Sequence, residues 1–132
     1  MMKLPSRLRK PSSYSSVIRH ESKARSGVSY AIRRVSLSQR IELTKKVRDL
    51  SLRYEFLRAG DTADQLEASL ADLLVRRLYL EWGLAELSGL TVDEQPATVE
   101  VLIEKGPEAL SEEIIAAIRA ELGLSEEERK NS

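Results

Sequence analysis

The chain has 132 residues, 42% of them apolar and 32% charged, with only six aromatic side chains and no cysteine. That composition excludes a disulfide scaffold, and no apolar run approaches the ~18 residues that would span a bilayer. The zero net charge hides a split: residues 1–58 hold 15 Lys/Arg against 4 Asp/Glu, while residues 59–132 hold 6 against 17. Such an asymmetry points to an electrostatic role, between the two halves of one chain, between copies, or with an acidic partner.

Residues 1–26 read as a flexible basic arm. They carry Pro5, Pro11, seven serines and seven Lys/Arg with little apolar periodicity, too little to offset the entropy of ordering. Pro5, Arg7, Arg9, Lys10 and Pro11 also interrupt any signal-peptide apolar stretch, and the expected location is the cytoplasm. Residues 27–124 read as the folded domain. Within it, Val28, Tyr30 and Ile32 alternate with Ser29, Ala31 and Arg33, the period of a half-buried strand over residues 28–35. Its best internal partner is Leu90-Thr91-Val92, ahead of a turn at Asp93-Glu94-Gln95-Pro96.

Ser36 and Gln39 form a capping box that opens a helix over residues 36–59, with Leu43, Val47, Leu50, Tyr54 and Leu57 at helical spacing and Gly60 as its stop. Thr62 to Gln65 repeats the capping pattern, and Leu66, Leu70, Leu73, Leu74, Leu80, Leu84 and Leu87 predict a second helix over 62–88, ending near Gly89. Gly83 within it marks a kink or a close contact, because glycine is a poor helix former. Thr98 caps a short helix over 99–105, closed by Gly106. Pro107 suits a first helical position, and Leu110, Ile114, Ile115, Ile118 and Leu122 line one face of a helix over 107–122 that Gly123 ends. Residues 125–132 read as a frayed acidic and polar tail, although Ser125 to Glu128 has the form of another capping box. The fold class is therefore mainly α: three long helices, a short one and a minor β-strand pairing.

Little in the sequence supports catalysis. The only histidine, His20, sits in the basic arm without an orienting partner, and a catalytic base needs both a partner and a pocket. With no cysteine and one histidine, no zinc site is expected, and the six glycines are scattered rather than gathered into a phosphate-binding loop. The chain reads as a non-enzyme without metal or cofactor. Tyr79 and Trp82, three apart in Leu78-Tyr79-Leu80-Glu81-Trp82, are the natural anchors of a protein interface. Trp82 is expected in the core and Tyr79 at the edge of the binding surface. The candidate partner-binding residues are Leu78, Tyr79, Trp82, Arg33 and Arg34. The basic cluster Arg33, Arg34, Arg40, Lys45, Lys46 and Arg48 leaves open an alternative, a small nucleic-acid-binding or regulatory helical protein, but interleaved aromatics are missing.

Several stretches carry a resemblance. They are Gly27 to Ser36, Arg53-Tyr54-Glu55-Phe56-Leu57, Leu78 to Leu84, Leu90-Thr91-Val92-Asp93, Pro96-Ala97-Thr98, Gly106 to Leu110 and Leu122 to Asn131. Over roughly residues 15–131 the chain resembles the tail assembly chaperones of phages and prophages, although Asp93-Glu94-Gln95 lacks the glycine expected in that turn. The resemblance implies a non-enzymatic role in the bacterial host cytoplasm: holding the long helical tape measure protein soluble while tail-tube subunits polymerise around it. It also implies self-association, and in many members a second, frameshifted longer form. The pair Lys130-Asn131 is compatible with a slippery codon run.

Overall fold

A computed structural model describes residues 11–57 and 62–123. Its elements run β1 (Val17–Glu21), β2 (Ser29–Arg33), α1 (Leu37–Leu57), α2 (Thr62–Gly83), β3 (Leu84–Ser88), β4 (Thr91–Val92), β5 (Gln95–Pro96), α3 (Val99–Lys105) and α4 (Glu108–Leu122). Among the described residues the architecture is mixed: four helices accompany a three-stranded antiparallel sheet of order β1-β2-β3 and a two-stranded β4-β5 ribbon. The expectation of a mainly α domain with a minor strand pairing is thus corrected towards α plus β.

The sheet forms because β2 cannot satisfy its backbone alone. Its alternating pattern is that of a central strand, and Tyr30, Ala31 and Ile32 are all buried. One neighbour comes from the segment assigned to the flexible arm. Val17 to Glu21 pairs with β2 in register from Val17 opposite Arg33 to Glu21 opposite Ser29. The other neighbour is β3, with Tyr30 opposite Leu87 and a bulge between Ala31 and Ile32. Leu90 to Val92 is not the partner. Thr91 and Val92 pair instead with Pro96 and Gln95. The turn between them holds Asp93 and Glu94 at φ 50° and 67°, a geometry that glycine adopts most readily.

The second helix stops five residues before the expected boundary at 88, because pairing with β2 captures Leu84 to Ser88 as strand. Leu84 and Leu87 fit a helical repeat, but a ladder of hydrogen bonds to a buried strand outweighs local periodicity. Gly83 sits at this junction, and a Cβ there would lie 2.7–2.9 Å from Cδ1, Cγ1 and Cγ2 of Ile118. Glycine is therefore what lets α4 approach the end of α2. Gly89 plays the matching part at the other end of β3. It has φ 82°, and a Cβ would fall 2.0 Å from the Gly27 carbonyl oxygen.

The other helix ends follow the sequence. The Gln39 amide donates to Ser36 Oγ at 3.2 Å and the Ser36 amide to Gln39 Oε1 at 3.4 Å, a reciprocal capping box. The Val101 amide donates to Thr98 Oγ1 at 3.1 Å. Gly123 closes α4 in the left-handed conformation. Pro107 is the N-cap of α4 rather than its first turn. The stop expected at Gly60 and the tail over 125–132 lie outside the described residues. The core is mostly aliphatic, joined by Tyr30 and Tyr79: Ile32, Leu102, Leu110, Ile114 and Ile118 are its largest fully buried side chains, and all five buried positions of α4 are those predicted from spacing.

Candidate functional site

The helix α2 carries two apolar faces. At about 100° per residue, Ala68, Ala71, Val75 and Tyr79 fall on one side and are buried. Leu66, Leu70 and Leu73 fall on the opposite side and Leu74 on the flank towards α1, and the four stay 69%, 49%, 54% and 42% exposed. One helix cannot turn both faces inward. The small alanines let a neighbouring helix come close, and α1 packs along α2. The leucine face is left to solvent.

Beside that face, α1 and α2 enclose an open groove of about 560 Å³ lined by Lys46, Asp49, Leu50, Leu74, Arg77, Leu78 and Glu81. Towards the C-terminal end of α1 and the N-terminal end of α2, a smaller depression of about 50 Å³ lies between Leu50, Arg53, Glu67, Leu70, Ala71 and Leu74. In the other direction the groove meets a cavity of about 470 Å³ between α2 and α3, lined by Arg77, Glu81, Val99, Glu100, Ile103 and Glu104. The smaller depression shares Leu50 and Leu74 with the groove, and the α2/α3 cavity shares the ion-paired Arg77 and Glu81 with it, so both adjoin the groove along α2. Its floor is Leu50, Leu70, Leu74 and Leu78, and its rim is charged. Arg53 bonds Glu67 at 3.2 Å, and Arg77 bonds Glu81 at 2.6 Å and Glu104 at 3.5 Å. These exposed pairs add little stability; they keep the rim polar around an apolar floor, the usual anatomy of an interface.

Of the residues predicted to bind a partner, Leu78 lines this groove. Tyr79 does not reach a surface. It is 3% exposed, with the Arg119 guanidinium 5.2 Å from its ring centroid. Its expected place at the edge of the binding surface is corrected, because it points to the face of α2 that packs inward. Trp82 is half-buried and packs against the core cluster. Arg33 is exposed at the end of β2, whereas Arg34 is half-buried with its guanidinium 5.4 Å from the Tyr14 ring centroid. The helical spacing places Leu50, Leu70 and Leu74 on helices without marking them as a binding surface. The signal that marks them was available: Ala68, Ala71, Val75 and Tyr79 make a second apolar stripe, and a two-layer fold buries only one.

The most perturbed titratable groups serve the fold. Glu113 on α4 accepts from the Ala24 amide at 2.7 Å, the Lys23 amide at 3.0 Å and Ser22 Oγ at 3.1 Å through one oxygen, and from Tyr30 Oη at 2.9 Å through the other. Burial alone would raise its pKa, but these donors hold it below the usual carboxylate value. Burial, then the bond to Glu113 and its charge, push the Tyr30 phenol up to about 12. His20, on β1 rather than in a free arm, stacks on Tyr30 with ring centroids 5.3 Å apart. A carboxylate already accepting four hydrogen bonds is an anchor for the β1–β2 loop, poorly placed to act as a base. Among the described residues, no group of three His, Cys, Asp or Glu side chains could hold a metal ion, and no helix is long and apolar enough to cross a membrane.

No family model matches the chain, and no curated protein or solved structure is significantly similar to it.

Proposed function

We propose that this protein is a non-enzymatic binding protein that seats a helical segment of a partner in the α1/α2 groove. The observation that carries the reading is the row of exposed leucines, Leu66, Leu70, Leu73 and Leu74, beside a groove floored by Leu50 and Leu78. Burying a leucine fully contributes about 1.5–3 kcal/mol. Four half-exposed leucines therefore offer several kcal/mol of gross attraction, part of which association entropy consumes. An amphipathic helix laid in an apolar groove with a polar rim is a recurrent recognition mode.

The resemblance to tail assembly chaperones supplies the biological form of this reading. The partner is then the tape measure protein, kept soluble in the host cytoplasm while tail-tube subunits assemble, and self-association accompanies the role. A long helical protein exposing apolar stripes before its tube forms needs such a cover. The test is co-expression with the long helical protein encoded nearby, comparing the wild-type chain with Leu70→Glu/Leu74→Glu. Wild type should co-purify with it and raise its soluble yield; the variant should keep its circular dichroism and melting behaviour and do neither. If wild type does neither, the chaperone reading fails. Tight DNA binding that weakens steeply with salt would favour the nucleic-acid alternative.

A further inference from the structure

We propose that the groove discriminates between the two ends of the helix it holds, taking a lysine- or arginine-bearing end over α3. This rests on the groove being a helix-binding site and adds the chemistry of its occupant. Along the α1/α2 stretch the rim is balanced: Lys46 and Arg53 face Asp49 and Glu67. At the α3 end the balance breaks. Glu81, Glu100 and Glu104 surround a single guanidinium, Arg77, which is already divided between Glu81 and Glu104. Glu100 has no ion-pair partner among the described residues. Val99 and Ile103 line the same cavity as these carboxylates, so apolar surface is at hand beside the acidic groups.

A long cationic side chain suits both features, since its methylenes cover Val99 and Ile103 while its head meets Glu100 and Glu104. An acidic end in that position would meet three carboxylates, and like charges suppress a wrong pairing more strongly than a rim pair rewards a right one. The occupant is thus an amphipathic helix with apolar residues spaced four apart along the α2 leucines and Lys or Arg at the end beyond Glu81. A second copy of the chain and a helix of uniform charge are the competing occupants.

Two designed peptides of one length and one leucine stripe serve as probes, one with three lysines in its terminal turn and one with glutamines there. Titrations by fluorescence anisotropy should show the lysine-ended peptide binding wild type about ten-fold more tightly at low salt. In Glu100→Lys/Glu104→Lys that preference should vanish, and the glutamine-ended peptide should become the tighter ligand. Glu108→Lys, an exposed carboxylate outside the groove, should change nothing. Leu70→Glu/Leu74→Glu should lose both peptides. Equal binding of both peptides to wild type, unaltered by Glu100→Lys/Glu104→Lys, overturns the end preference and leaves helix binding intact. Failure of either peptide to bind overturns the groove itself. Self-association that blocks both peptides and disappears in Leu70→Glu/Leu74→Glu assigns the face to a second copy and overturns the proposal.

Discussion

Replacing Gly83 by alanine sets two physical effects against each other. From helix propensity alone, Gly→Ala inside a helix stabilises by up to about 1 kcal/mol. At Gly83 the added methyl would fall 2.7, 2.8 and 2.9 Å from three carbons of Ile118, all inside van der Waals contact. Ile118 is 1% exposed and sits among the largest buried side chains of the core, so it has no free volume to retreat into. Overpacking of this kind costs about 1–3 kcal/mol. The propensity gain is also reduced, because Gly83 is the last residue of α2. The net expectation for Gly83→Ala is a loss of about 1–2 kcal/mol, and a melting temperature lower by several degrees. Chemical denaturation of Gly83→Ala, Ile118→Val and the double variant closes the cycle. Ile118→Val removes Cδ1, the nearest of the three carbons, so Gly83→Ala should cost less in that background. A stabilised single variant, or purely additive costs, would refute the claim that glycine is needed here for the approach of α4.

Three further outcomes follow from the same structure. Glu113→Gln should free the loop at 22–27, costing about 1 kcal/mol per lost hydrogen bond and speeding amide exchange at Lys23 and Ala24, which donate to its carboxylate. Stability against pH should fall at both extremes: Glu113's contribution is present above the ordinary value of 4.5 and lost as pH drops through its depressed folded value, while Tyr30's is present below 10.0 and lost as pH rises towards about 12. Equilibrium unfolding across pH checks this, and Glu113→Gln should flatten the acid limb. Glu94→Gly should stabilise by about 1 kcal/mol, because it relieves a left-handed backbone at φ 67°; a lower melting temperature would contradict this.

The elements whose character is set within a few neighbouring residues were legible in the sequence. Ser36 with Gln39, Thr98 and Gly123 mark helix ends through hydrogen bonds that reach only three or four residues. The buried face of α4 follows from its spacing, because only one side of that helix is apolar. The alternation at 28–33 likewise marked a strand. What the sequence left open was its neighbours. Val17 to Glu21 carries no strong strand signal and becomes one by pairing with β2, and Leu84 to Ser88 leaves a helical repeat for the same reason. Pairing partners are chosen by the whole fold, since a ladder's hydrogen bonds join residues far apart in the chain. The same holds for the groove. The leucines of α2 were legible as apolar, but which of its two stripes faces inward depends on where α1 comes to rest. The stripe that is buried is the one carrying Ala68 and Ala71, whose small side chains allow a close approach. Local chemistry thus determined the pieces, and the competition among surfaces for a single interior decided which apolar side chains were left outside it.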